Sequence, residues 1–238
     1  MMGLFSIACS FVSSACSAVG SFLGGCVSKI GGGIGSFAAN VLGPIIKGPS
    51  ELELKIAEAI VKGVINIITD IAKALGIIKD ENVEEIGAKA TQEETRPRTD
   101  FASEKEYIEY LRQEIELDKK RLEAMPLAER LACQAVGTAI VARGIKEDTG
   151  MELSPEFLLA AEKAKLSAGE IMACIEKFKI ADYKSLDVVK DYLQGKDLKG
   201  KGEDVGGNLI EALQQANPGV NSDAAKDKLI DFCVKSRV

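Results

Sequence analysis

Hydrophobic and polar positions follow two different rules along this chain, and the change falls near residue 50. Before it the sequence is almost free of charge: Met1 to Ser28 is an uncharged run, and Lys29 and Lys47 are the only ionised side chains ahead of Glu51. After it, apolar residues recur every three or four positions between charged ones, which is the period of a helix with one buried face.

The clearest such pattern starts at Pro49-Ser50-Glu51-Leu52-Glu53, where Ser50 and Glu53 are spaced as a capping box. Leu52, Ile56, Ile60, Val64, Ile67, Ile71 and Leu75 then form an apolar face, joined by Ile68. Glu51, Lys55, Glu58, Lys62, Asn66, Asp70 and Lys73 take the other side. Gly76 stands where a left-handed cap would end the helix. An amphipathic helix over about 51–75 is predicted. Its wide Ile/Val stripe suits the core of a bundle, and its mixed charges do not favour a surface of anionic lipid.

Residues 79–102 read as an acidic, exposed linker. Periodicity fades there, and Pro97, inside Thr95–Thr99, points to extended, protease-sensitive chain. Helical spacing resumes at Ser103. One helix is expected from a capping box at Ser103–Glu106 to about Ala124, burying Tyr107, Ile108, Leu111, Ile115 and Leu122. A second runs from Pro126 to about Ile145 with Leu127, Leu131, Ala135, Ala139 and Ile140 as its stripe. Further starts fall at Ser154-Pro155, Ser167 and Ser185, the last ended by Gly195, with two more helices near 208–216 and 222–235. No run reads as a strand. The expectation is an all-α protein in four parts: a Gly/Ser-rich apolar segment 1–48, an amphipathic helix 49–78, a linker 79–102 and a multi-helix domain 103–238.

Composition sharpens the first of these parts. Residues 1–48 hold 10 of the 23 glycines, and the first fifty residues carry +2 against −6 for the whole chain of 238. Within them Cys16, Gly20, Gly24, Ser28, Gly32 and Ser36 place a small residue at every fourth position. On a helix such residues line one shallow groove, a surface that lets two helices approach closely where lipid removes the hydrophobic drive. Phe22, Leu23, Ile34 and Phe37 lie off that row and would face lipid or a partner. A secretory signal fits poorly, since no Lys or Arg precedes Lys29, and Leu23-Gly24-Gly25-Cys26 resembles a lipoprotein cleavage box only loosely.

Candidate chemistry is sparse. With no His, the usual neutral-pH acid/base and the commonest metal ligand are missing. Six Cys without a C-x-x-C pair make neither a disulfide scaffold nor a zinc site. A pI near 5.0 and the absence of Trp argue against nucleic acid. Gly195–Gly202 satisfies G-x-x-x-x-G-K, but Gly202 stands where Ser or Thr must hold magnesium, and the segment follows a helix instead of a strand. It reads as a Lys-bearing loop that touches a partner or an anionic surface.

No catalytic, cofactor or metal residue emerges, and no small-molecule substrate. The function expected is that of a non-catalytic membrane-interacting or membrane-inserting protein, self-associating through the small-residue row, with the C-terminal helices docking or regulating. Its place would be at a membrane. The alternative is an assembly component, soluble within a larger particle because its apolar N-terminus is buried in a protein partner.

Overall fold

The computed structural model describes Asn40, residues 51–93 and residues 95–237. The small-residue row, its flanking apolar residues and the Ser50 cap lie outside the described residues. What is described is all-α, as the periodicity predicts. The helices are α1 (Glu51–Ala74), α2 (Val83–Gln92), α3 (Glu104–Glu114), α4 (Lys119–Glu123), α5 (Leu127–Thr149), α6 (Pro155–Ala164), α7 (Ala168–Ile180), α8 (Asp187–Leu193), α9 (Gly202–Ala216) and α10 (Ser222–Arg237), with a 3-10 turn at Arg98–Asp100. The described residues contain no strand; an isolated bridge joins Glu152 to Ser185.

Local chemistry explains most of the starts. Ser154 Oγ accepts from Phe157 N, behind Pro155 in the first turn of α6. Ser167 and Glu170 form a complete reciprocal box at α7. At α3 only half of the predicted box forms: Ser103 Oγ accepts from Glu106 N, while the Glu106 carboxylate turns to Ala102 N. Gly76 and Gly195 adopt positive φ where α1 and α8 end.

Beside a small cluster of Ala88, Leu122 and Cys133, the main buried core runs from Val61 to Phe232. Its centre is α5, whose residues from Leu131 to Ala142 are buried on every side, so the one-sided stripe expected of it is too narrow. The helix can be enclosed because Ala132, Ala135, Gly137, Ala139 and Ala142 leave room for neighbours. Helices α1, α2 and α3 pack around α5, while α6 to α10 form a second group. α1 touches α5 as well as α6 and α7, so it sits at the seam between the groups. Residues of 49–78 and of 103–238 both contribute to this core.

The amphipathic face of α1 is used in part. Val64, Ile67, Ile68 and Ile71 are buried, together with Val61, which the stripe omitted; Ile60 and Leu75 are half-buried. Ile56 is 51% exposed, so the face leaves the core toward the N-terminal end of the helix.

The largest departure from the sequence reading is the linker. Within 79–102, residues Val83–Gln92 form α2, which buries Val83, Ile86, Gly87, Ala88, Ala90 and Thr91 against α5. Asn82 supplies the cap, its side chain accepting from Glu84 N at 2.8 Å. The acidic residues that suggested solvent are paired instead: Glu84 meets Arg130 Nε at 2.9 Å and accepts from Gln134 Nε2 at 3.0 Å. Two glycines permit the close crossing of α2 over α5. A methyl group on Gly87 would lie 1.8 Å from the Cys133 carbonyl oxygen, and one on Gly137 would lie 1.9 Å from that of Val83.

The helix expected to reach Ala124 stops at Glu114 and restarts as α4 at Lys119. Its end is fixed from elsewhere in the fold: Lys89 Nζ, on α2, donates to the carbonyls of Leu111 and Arg112. That ammonium satisfies acceptors which a continuing helix would have used itself.

Candidate functional site

The Gly195–Gly202 loop, set aside on sequence as a false phosphate loop, borders an open groove of about 580 Å³. Tyr192, Lys196, Asp197, Leu198, Glu203 and Cys233 contribute to its walls. The loop reverses through Lys199 and Gly200 at positive φ and enters α9 at Gly202. A bare helix start with lysines nearby would suit an anion. This one is already countered: Glu203 and Asp204 occupy the first turn, and Lys196 is paired with Asp191 at 2.9 Å. The charged side chains on the wall are one Lys against Asp197 and Glu203.

Several carboxylates in the described residues fasten one segment to another. Asp148 pairs with Lys105 at 2.8 Å and Glu152 with Lys146 at 2.6 Å. Asp187 accepts from the Ser154 hydroxyl and so ties α8 to the start of α6. Glu170 is buried, paired with Lys228 and bonded to Asn217, linking α7 to α9 and α10; burial pushes its carboxyl up, but the hydrogen bonds from Lys228, Ser167 and Asn217 leave it below the usual range. Of the cysteines, Cys133 and Cys174 are buried, and burial pushes the Cys174 thiol up to about 12. Among the described residues no group of His, Cys, Asp and Glu is arranged to hold a metal ion.

Two charged arrangements surround residues 95–104, of which the sequence reading placed those up to 102 in the exposed linker. The first is buried. Glu104 is 0% exposed, with Arg98 Nε at 2.7 Å and Arg143 Nε at 2.9 Å from its two oxygens. Glu147 completes the cluster, accepting from Arg98 at 3.2 Å and from the Glu104 backbone N–H at 2.7 Å. Burial pushes the Glu104 carboxyl above its ordinary value, even beside two guanidinium groups. Arg98, flanked by residues expected in solvent, is itself buried and donates to the Phe101 carbonyl at 2.9 Å.

The second arrangement is at the surface. Glu93 accepts from Arg96 N, the Thr95 hydroxyl and Thr95 N, and from Tyr110 Oη at 2.9 Å. Burial pushes this carboxyl up, but the hydrogen bonds outweigh it and hold Glu93 down at about 2. The turn so fixed lays the Arg96 guanidinium 4.3 Å from the centre of the Phe101 ring and 5.1 Å from that of Tyr110. The two rings are 4.9 Å apart and inclined at 42°. Sequence reasoning missed this arrangement because Arg96, Phe101 and Tyr110 show no periodicity that joins them.

Comparison of the chain with protein-family models, curated proteins and solved structures finds no match. Among the described residues, no helix is long and apolar enough to cross a membrane.

Proposed function

We propose that this chain is a non-catalytic, membrane-interacting helical protein, engaging or entering lipid through residues 1–48 while the helices from α1 onward serve as a docking or regulatory body. The observation that carries the reading is the segregation of charge. Met1–Ser28 is uncharged and bears the row Cys16, Gly20, Gly24, Ser28, continued at Gly32 and Ser36, whereas the net negative charge lies wholly beyond residue 50. Twenty-eight uncharged residues exceed the roughly 20 that a spanning helix needs. Helix α1 is anchored in the core from Val61 onward, which suits a body that stays folded behind a lipid-bound segment.

Self-association through the row follows from the same reading. The test is liposome flotation of the full chain with release of a trapped dye read on the same samples, beside Leu23→Asp and Gly24→Leu. A carboxylate at position 23 should abolish flotation, since a charge at the centre of a spanning helix costs about 3 kcal/mol. Gly24→Leu should float but lose crosslinked oligomers. Full-chain protein that stays at the bottom of the gradient with every lipid defeats the proposal and directs the search to a protein partner for residues 1–48.

A further inference from the structure

The surface beside Arg96 is shaped for a guanidinium group, and the chain's own arginine fills it. Phe101 is buried, its ring 5.1 Å from that of the fully buried Tyr107, and it forms a fixed floor. Tyr110 forms the adjoining wall, its hydroxyl held by Glu93. The groove that opens from this stack has a volume of about 370 Å³ and is rimmed by Glu106, Glu109 and Glu114. Glu109 is tied to Arg112 and Gln113 on its own helix, and Glu106 accepts from Ala102 N at 2.8 Å. The rim thus carries three carboxylates against the single positive charge of Arg96.

Arg96 itself is exposed and lies against rings, with no carboxylate in ion-pair range among the described residues. A planar, weakly hydrated guanidinium stacks on aromatic faces more readily than an ammonium does. We propose that this notch is a docking site for an arginine-bearing segment of a partner protein, and that Arg96 occupies it in cis until the partner displaces it. Charge complementarity selects the partner: an incoming arginine meets two ring faces and an acidic rim. The Glu93 clamp keeps the turn and the Tyr110 wall in place after Arg96 has swung out, because it holds backbone N–H groups and not the Arg96 side chain. The inference does not depend on whether residues 1–48 enter lipid.

The experiment is fluorescence anisotropy of a labelled Gly-Arg-Gly-Arg-Gly peptide titrated with the full chain at low salt. Arg96→Ala should bind about two- to fivefold more tightly than wild type, the range that loss of one exposed cation–π competitor supplies. Lys199→Gln removes the same charge from the loop before α9 and should change binding less than Arg96→Ala does. In the Arg96→Ala background, Tyr110→Leu should cancel the gain, Glu114→Gln should weaken it, and Tyr110→Phe, which keeps the ring but loses the Glu93 bond, should retain more of it than Tyr110→Leu does. Thermal unfolding of each variant confirms that the body remains folded. Equal binding by wild type and Arg96→Ala overturns the proposal, as does a gain that Lys199→Gln reproduces or that survives Tyr110→Leu.

Discussion

Replacing Gly87 with Ala adds one methyl group at the tightest point of the fold. It would lie 1.8 Å from the Cys133 carbonyl oxygen and 2.7 Å from Gly137 N, both backbone atoms of α5 that cannot rotate away. Ordinary contact needs about 3.5 Å, so α2 must withdraw from α5 by more than about 1 Å. That movement loosens Val83, Ile86, Ala88 and Ala90 and pulls Lys89 from the end of α3. Overpacking of this kind costs about 1–3 kcal/mol. Alanine returns up to about 1 kcal/mol of helix propensity. The clash is with backbone on both sides, so the net expected loss is about 2 kcal/mol, or roughly a 4–8 °C fall in Tm for a body of this size. Gly207→Ala is the matched control, since nothing lies within 4 Å of its added methyl on α9, and it should stabilise by up to about 1 kcal/mol. Urea and thermal unfolding followed by circular dichroism at 222 nm would measure both. Gly137→Ala should resemble Gly87→Ala, and the double variant should lose less than the sum, because helices already parted admit the second methyl more cheaply. If Gly87→Ala is as stable as Gly207→Ala, the crossing is not close-packed and the reasoning fails.

Further expectations concern charge and thiols. Glu93 is held at about 2 against an ordinary 4.5, so its contribution to stability is fully present above pH 4.5 and disappears as the pH falls toward 2. The Tm gap between wild type and Glu93→Gln should therefore be widest near neutrality and close over that window. Glu104→Ala leaves Arg98 buried without its nearest counter-charge and should cost about 3 kcal/mol, whereas Arg98→Met with Glu104→Leu should recover much of the loss in urea unfolding. Peptide mapping after brief iodoacetamide treatment should find Cys174 unmodified, because burial both hides its thiol and pushes it up to about 12; rapid labelling at that site would contradict the packing of α7.

The helices whose limits were legible are those bounded by local backbone chemistry. Pro126, Ser154-Pro155, Ser167 with Glu170, and Gly195 act on their own neighbours, and each marks a helix end in the structure. The α3 end was not legible, because Ile115 to Asp118 contain no breaker and the group that terminates the helix is Lys89, more than twenty positions away. α2 escaped for a related reason. Its ten residues carry three charges against two branched aliphatics, Val83 and Ile86, and Glu84 looks solvated until Arg130 and Gln134 arrive from α5. At the candidate sites the same division holds: the Gly195–Gly202 segment is a loop, as its glycines indicated, while the Arg96 stack exists only once Glu93 has folded the turn onto α3.

The crossing at Gly87 and Gly137 also bears on the row from Cys16 to Ser36. Small residues do not hold two helices together; they remove an obstacle, and the surrounding apolar side chains supply the free energy. At the α2–α5 crossing those side chains include Val83, Ile86, Val136 and Ile140, all buried in the one core. On the reading proposed above, the counterparts for the N-terminal row would be Phe22, Leu23, Ile34 and Phe37, with Ile30 and Val41. A groove of glycines and serines paired with a second copy would bring two backbones together and leave those large residues on the outside of the pair. In water that arrangement exposes the surface whose burial should drive association. It becomes favourable where something apolar covers the outside, and lipid does so for any number of copies. A protein partner must match the outer residues individually. Substitution at Gly24 tests the groove, and substitution at Leu23 tests the cover. A chain that fails in both ways with lipid alone would have the groove and the lipid-facing surface of one membrane assembly.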